Sequence, residues 1–168
     1  MHIEFATEHD INAVFTLLSK CKDKLIEQNI FQWDADYPKL EYVVNDIIKG
    51  SLAKLTNSDQ LVGVISFDDS QEPEYGAINW QINSESIAVI HRLAVSPLFQ
   101  GNGFAKQLMT FAEKYISESG FQAIRLEAYS GNKMLLGFYD KFGYKNVGEI
   151  KFPSRSLPFI CMEKSLKI

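Results

Sequence analysis

The sequence predicts a single α/β or α+β domain, and three observations predict it. Apolar runs of strand length, bounded by turn residues, recur from Leu52 to Val95. From Phe104 the apolar period switches to three and four, and strand-like and helix-like segments then alternate toward the C-terminus. No internal repeat or linker breaks this order, and 168 residues with 46% hydrophobic content can bury one core, so one domain over 1–168 is expected.

The elements follow in order. "HIEF" reads as a short strand. Thr7, with Asp10 three residues on, is an N-cap for a helix whose apolar face is Ile11, Val14, Phe15 and Leu18. Pro38 precedes a second helix, Leu40 to Lys49, because proline is tolerated only before a helix or in its first turn. "LAKLT" and "LVGVISF", joined by "NSDQ", form a hairpin. "EYGAINWQI" is expected to be a third strand, and "SIAVIHRLAV" a central strand apolar on both faces. Phe104, Leu108, Phe111, Ala112 and Tyr115 mark a helix that ends near Gly120. "AIRLEAY" is a strand, "KMLLGFYDKFG" a helix closed by Gly143, and "PFICMEKSL" a last strand.

Composition excludes several classes. A net charge of -4 with scattered lysines argues against a nucleic-acid binder, which needs a clustered basic face. No apolar run approaches the ~18 residues of a membrane span, and "MHIEFATEHD" lacks the features of a signal peptide, so no membrane partner and a cytoplasmic location are expected. Cys21 and Cys161 have neither CxxC spacing nor a neighbouring histidine; they read as reduced, buried thiols, with no metal site.

The stretch "SPLFQGNGFAK" places Gly101 and Gly103 around Asn102 at the start of a helix. It fails the dinucleotide fingerprint, since Lys106 stands where a third glycine is needed, and it fails the Walker A pattern at both ends. What remains is a helix N-terminus whose backbone N–H groups converge on an anion. A ligand-free tight turn is the plainer alternative, but it needs one glycine at most.

"IHRLAVSPLFQGNGFAKQLM" resembles the acetyl-coenzyme A loop of the GNAT (Gcn5-related N-acetyltransferase) superfamily, with its Gln/Arg-x-x-Gly-x-Gly/Ala signature. "YSGNKMLLGFYDKFGYKNVGE" resembles the second family signature, an Asn ahead of a helix ending in Phe-Tyr and a glycine. The resemblance implies a mixed, mostly antiparallel sheet flanked by helices. It also implies an enzyme that moves the acetyl group of acetyl-coenzyme A to a primary amine by direct attack in a ternary complex. Leu93, Ala94 and Val95 would pair with the pantetheine arm, while amides of Gln100, Gly101, Asn102, Gly103, Phe104 and Ala105 would take the pyrophosphate. A main-chain N–H near Leu93 would receive the oxyanion. Asn132 would anchor the coenzyme arm, or serve as a helix N-cap. Tyr139 matches the tyrosine beside the coenzyme sulfur; a phenol stays protonated at neutral pH and can protonate a leaving thiolate.

The general base is open. Family members often carry a Glu on the strand before the loop, where this chain has Val89. His91 shares that face two residues on, Glu85 is a second candidate, and a water chain without a single base is the third. For the acceptor, "IFQWDADYP" offers Phe31, Trp33 and Tyr37 beside Asp34 and Asp36, an apolar slot with acidic residues for a cationic amine. The same aromatics would equally pack a loop onto the sheet. Trp80 and Arg155 are further pocket candidates. A small-molecule amine is the expected acceptor. The alternatives are a protein N-terminus or lysine, or a non-catalytic acyl-coenzyme A sensor of the same fold. A homodimer through strand edges or the apolar C-terminal strand is compatible with the resemblance.

Overall fold

Thr7 and Asp10 start the first helix as their spacing predicts. Thr7 donates its N–H and its hydroxyl to Asp10 Oδ2, at 2.8 and 3.0 Å, and a 3₁₀ turn over Glu8–Asp10 leads straight into α1 (Ile11–Glu27). This computed structural model describes residues 1–166. After β1 (His2–Phe5) and α1 come α2 (Leu40–Ile48), β2 (Leu52–Asn57), β3 (Gln60–Asp68) and β4 (Ile87–Val95). The second half holds α3 (Phe104–Glu118), β5 (Ala123–Tyr129), α4 (Lys133–Lys141), β6 (Lys145–Ile150) and β7 (Phe159–Ser165).

The strands form one seven-stranded sheet in the order β1-β2-β3-β4-β5-β7-β6. Among the described residues only β4 and β5 pair in parallel. The expected fold class, a mostly antiparallel sheet flanked by helices, is the one found. Alternation along the strands assigns the two faces. Ala88 and Ile90 of β4, with Ile124, Leu126 and Ala128 of β5, pack against Leu108, Met109 and Ala112 of α3 and Tyr139 of α4. On the opposite face, Val14, Leu17 and Leu18 of α1 and Val43 and Ile47 of α2 cover Leu52, Val64 and Ala94. The remainder of that face is covered by a loop: Tyr75 packs on Val89, Ile150 and Cys161.

Two expectations fail. "EYGAINWQI" is not a strand but a 3₁₀ turn, Pro73–Ala77, followed by irregular chain. Pro73 has no N–H to give a ladder, and the apolar residues that suggested a strand, Tyr75, Ile78 and Trp80, instead drop their side chains onto the sheet. β6 went unread because only Val147 and Ile150 in it are apolar, and a bulge between Asn146 and Gly148 breaks the alternation. The C-terminal strand is not free for dimerisation either, since β7 gives one edge to β5 and the other to β6. The sheet edges belong to β1 and β6.

Candidate active site

The parallel strands at the centre of the sheet pair over three residues only, Ile87↔Ala123, Ala88↔Ile124 and Val89↔Arg125. β4 nevertheless runs on to Val95, and β5 to Tyr129. Past Val89 and Arg125 the two strands therefore part, while β4 stays paired with β3 as far as Val95. The result is a wedge inside the sheet, walled on one side by the unpaired edge of β4 around Leu93, Ala94 and Val95. An unpaired edge accepts an extended ligand with amide groups as it would accept a strand.

At the open end of the wedge the chain turns into α3. Pro97–Phe99 form a 3₁₀ turn, and Gly101 and Gly103 both adopt left-handed backbone, with φ of 81° and 79°. The turn thus needs both glycines for its own conformation, a correction to the expectation of one at most. Its side chains brace it from within. Gln100 Nε2 donates to the Val95 carbonyl at 3.0 Å, and Asn102 Nδ2 donates to the carbonyls of Phe99 and Gln100 at 3.1 and 3.2 Å. Gln100 therefore offers a ligand its backbone rather than its amide side chain. Among the described residues, the backbone N–H groups from Gly101 to Lys106 find no acceptor, and they point from a helix N-terminus. That row of donors, with Phe104 and Ala105 in it, fits an anion such as a pyrophosphate.

A cleft of about 590 Å³ lies over the wedge and brings together His91 and Leu93 of β4, Glu127 of β5 and Tyr139 of α4. Tyr139 is buried within it, and burial, followed by the nearby Glu127 charge, raises its pKa above that of a free phenol, so it stays protonated. His91 Nε2 is 2.6 Å from Asp68 Oδ1. Burial opposes ionisation of Asp68, but the hydrogen bond and charge of His91 outweigh it and hold that carboxyl at about 2. One ring nitrogen of His91 is thereby committed to Asp68.

Glu127 was not singled out from the sequence. Burial pushes its carboxyl up to about 7, partly offset by a hydrogen bond from the Tyr75 hydroxyl and by the charge of His91. It is thus poised to exchange a proton near neutral pH. Val89, where the resemblance led one to look for a Glu, is buried beneath Tyr75. Val89 pairs with Arg125, so the carboxylate two residues beyond Arg125 stands across the wedge, on β5 instead of β4. The available signal was a lone acid in "AIRLEAY", on the face shared by Arg125 and Tyr129 rather than by Ile124, Leu126 and Ala128.

The segment between α1 and α2 forms the far wall. Trp33 and Tyr37 line the cleft, whereas Phe31 does not and is 46% exposed. Arg155 fastens this segment: its Nε donates to the Gln32 carbonyl at 3.1 Å, and Nη1 pairs with the Asp34 carboxylate. Arg92, buried beneath, donates Nε to Asp46 Oδ2 at 2.9 Å and Nη1 to the Tyr37 hydroxyl at 2.6 Å. Asn132 both caps α4, accepting the Leu135 N–H at 3.1 Å, and donates Nδ2 to Gln32 Oε1 at 2.8 Å. It therefore ties the acceptor wall to the helix that carries Tyr139. Two further candidates fall outside the cleft. Glu85 is exposed in the chain entering β4, at the closed end of the wedge. Trp80 lies within the loop between β3 and β4, with the Arg125 guanidinium 4.2 Å from its ring centre. Six carboxylates line the cleft (Asp34, Asp36, Asp46, Asp68, Glu72 and Glu127) against three permanent cations, Lys49, Arg92 and Arg155. Among the described residues no His/Cys/Asp/Glu cluster could hold a metal ion, and no helix is long and apolar enough to cross a membrane.

Comparison with known proteins gives this architecture a context. The model of the acetyltransferase (GNAT) family matches residues 11–144. Among curated proteins the chain is similar to the uncharacterized N-acetyltransferase YesJ of Bacillus subtilis, 24% identical over 146 residues, 85% of this chain and 81% of that protein. A shorter match is to the ribosomal protein bS18-alanine N-acetyltransferase of Haemophilus ducreyi, 32% identical over 60 residues, 36% of this chain and 41% of that one. Among solved structures, a GNAT-family acetyltransferase from Streptococcus agalactiae superposes with a TM-score of 0.84 at 22% identity, over 99% of this chain and 96% of that chain.

Proposed function

Because the chain belongs to the acetyltransferase (GNAT) family, we propose that it transfers the acetyl group of acetyl-coenzyme A to the primary amine of a small molecule, with Glu127 as general base and Tyr139 as general acid. The observation that carries this reading is the meeting of the two groups in one cleft over the β4–β5 wedge. One is a carboxyl with a pKa of about 7, the other a buried phenol held neutral. Acetyl-coenzyme A, the donor the family uses, supplies the thioester. The unpaired edge of β4 at Leu93 to Val95 holds its pantetheine arm, and the N–H row from Gly101 to Lys106 its pyrophosphate.

The chemistry then balances. Glu127 takes a proton from the acceptor ammonium, freeing the lone pair that attacks the thioester carbon. A main-chain N–H near Leu93 receives the developing oxyanion. The nitrogen of the tetrahedral intermediate then loses its second proton to solvent, and as the C–S bond breaks Tyr139 gives its proton to the thiolate sulfur and is re-protonated by the proton held on Glu127, so that one proton is released per turnover. His91, fixed by Asp68, gives orientation beside Glu127 rather than the primary proton transfer.

A small acceptor is favoured because Arg155 and Asn132 fasten the segment around Gln32 across the cleft, narrowing the approach. The bS18-alanine relative favours a second reading, a protein N-terminus. Thiol release from acetyl-coenzyme A, measured with a panel of small mono- and diamines beside short peptides, separates the two. Turnover with small amines alone supports the proposal; turnover confined to peptides replaces it. In the same assay, Tyr139→Phe is expected to lower kcat about 10²-fold with acetyl-coenzyme A affinity unchanged. Undiminished turnover would remove Tyr139 from the acid role.

A further inference from the structure

The loop between β3 and β4, residues 69–86, holds Tyr75 buried against the sheet behind Glu127, 3% exposed, with its hydroxyl donated to Glu127 Oε2. The loop is fastened on both sides of that residue. Arg125 Nη1 donates to Gln71 Oε1 at 2.6 Å, ahead of Tyr75, and Nη2 to the Ile82 carbonyl at 3.1 Å, behind it. Glu163, opposite Arg125 on β7, accepts the N–H groups of Gln81 and Ile82 at 2.7 and 3.3 Å. Trp80 closes the arrangement by stacking under Arg125 and donating Nε1 to the Tyr75 carbonyl at 3.0 Å. Two buried, oppositely charged side chains on adjacent strands thus hold the loop over the sheet, and the tyrosine ring rests on Val89, Ile150 and Cys161. Its hydroxyl has one direction left, toward Glu127.

Resting on the assignment of Glu127 as base, we propose that Tyr75 is a positioning residue. It holds the Glu127 carboxylate toward the cleft and sets the pH range over which that carboxylate accepts a proton from the acceptor.

The groups that face Glu127 fix the sign. Tyr75 and Glu72 approach from the loop, His91 from β4, Tyr139 from α4, Cys161 from the partner position on β7 and Tyr37 from the segment before α2. Burial and the Glu72 charge favour the protonated acid; donation from Tyr75 and the charge of His91 favour the carboxylate. Tyr75 itself remains a neutral donor, because burial and the Glu127 charge raise its pKa well above that of a free phenol. Loss of its hydroxyl therefore moves the Glu127 titration to higher pH.

The test is the pH dependence of kcat/KM for the whole chain with acetyl-coenzyme A and a working amine, in four forms: wild type, Tyr75→Phe, Glu127→Gln, and the chain with 3-fluorotyrosine at position 75. Tyr75→Phe is expected to move the acidic limb up by about one pH unit, the scale of a hydrogen bond to a charged group, giving roughly tenfold lower kcat/KM at pH 6 and little change at pH 9. 3-Fluorotyrosine, a stronger donor of the same shape, moves the limb down, and it keeps the test alive if Tyr75→Phe folds poorly. An acidic limb that stays at the wild-type pH in both Tyr75 forms while Glu127→Gln abolishes it overturns the role of Tyr75 alone. A limb that persists in Glu127→Gln overturns the base assignment and this proposal with it.

Discussion

At Glu127 a carboxyl is held where its charged form is costly. Burial raises its pKa from the ordinary carboxylate range to about 7, which couples stability to pH in a defined direction. The folded state binds the proton more tightly than the unfolded state, so the stability from this residue is fully present below about pH 4.5 and is lost as pH rises through about 7. Glu127→Gln, which mimics the protonated acid, should therefore unfold like wild type at pH 4. At pH 8 it should be more stable than wild type, by on the order of 2 kcal/mol, in denaturant titrations at the two pH values. Equal stability of the two forms at pH 8 would contradict the burial argument. The residue scale is also where the sequence was least legible. Tyr139 and Asn132 were readable because their neighbours form a contiguous signature, whereas Glu127 acts through register. Its partnership with Tyr75, 52 residues away in sequence, exists only once β4, β5 and the overlying loop are assembled.

At the scale of elements, α3 and the turn before it carry the coenzyme claim. Helix α3 has no acidic residue in its first turn, and Lys106 is there instead, exposed. A cation at a helix N-terminus opposes the helix dipole, and a bound pyrophosphate reverses that penalty. Lys106→Glu should accordingly raise the stability of the free protein by about 0.3–1 kcal/mol while weakening acetyl-coenzyme A binding at least tenfold, by thermal unfolding and calorimetric titration. Unchanged affinity would move the pyrophosphate away from this helix. The helices were legible because their apolar period is long and their ends are marked by Gly120 and Gly143, both in left-handed backbone. The short elements were not. Pro73–Ala77 borrowed a strand's aromatic content for a turn, and β6 is an edge strand with too few apolar residues to announce itself.

For the whole molecule, the fold matters because the sheet is interrupted where its single parallel pair begins to part. That separation is a property of the assembly. β4 was legible as a central strand, apolar on both faces, but nothing in its composition says that its partner leaves it after Val89. In the proposed reading the wedge offers the extended arm of the donor an inner edge, and the segment around Trp33 and Tyr37 walls the other side of the cleft. Both cysteines are buried, and burial pushes their thiols up to about 12, consistent with inert packing residues. The two sides of the wedge meet at Glu127, so one measurement bears on the whole account: steady-state thiol release by Glu127→Gln from pH 6 to 9.5 at saturating acetyl-coenzyme A, beside wild type. The account predicts a loss of about 10²- to 10⁴-fold at pH 7, unchanged coenzyme affinity, and a rate that climbs with pH only as the amine loses its own proton. A wild-type rate at pH 7 would contradict it, and would return the proton transfer to His91 or to a chain of waters.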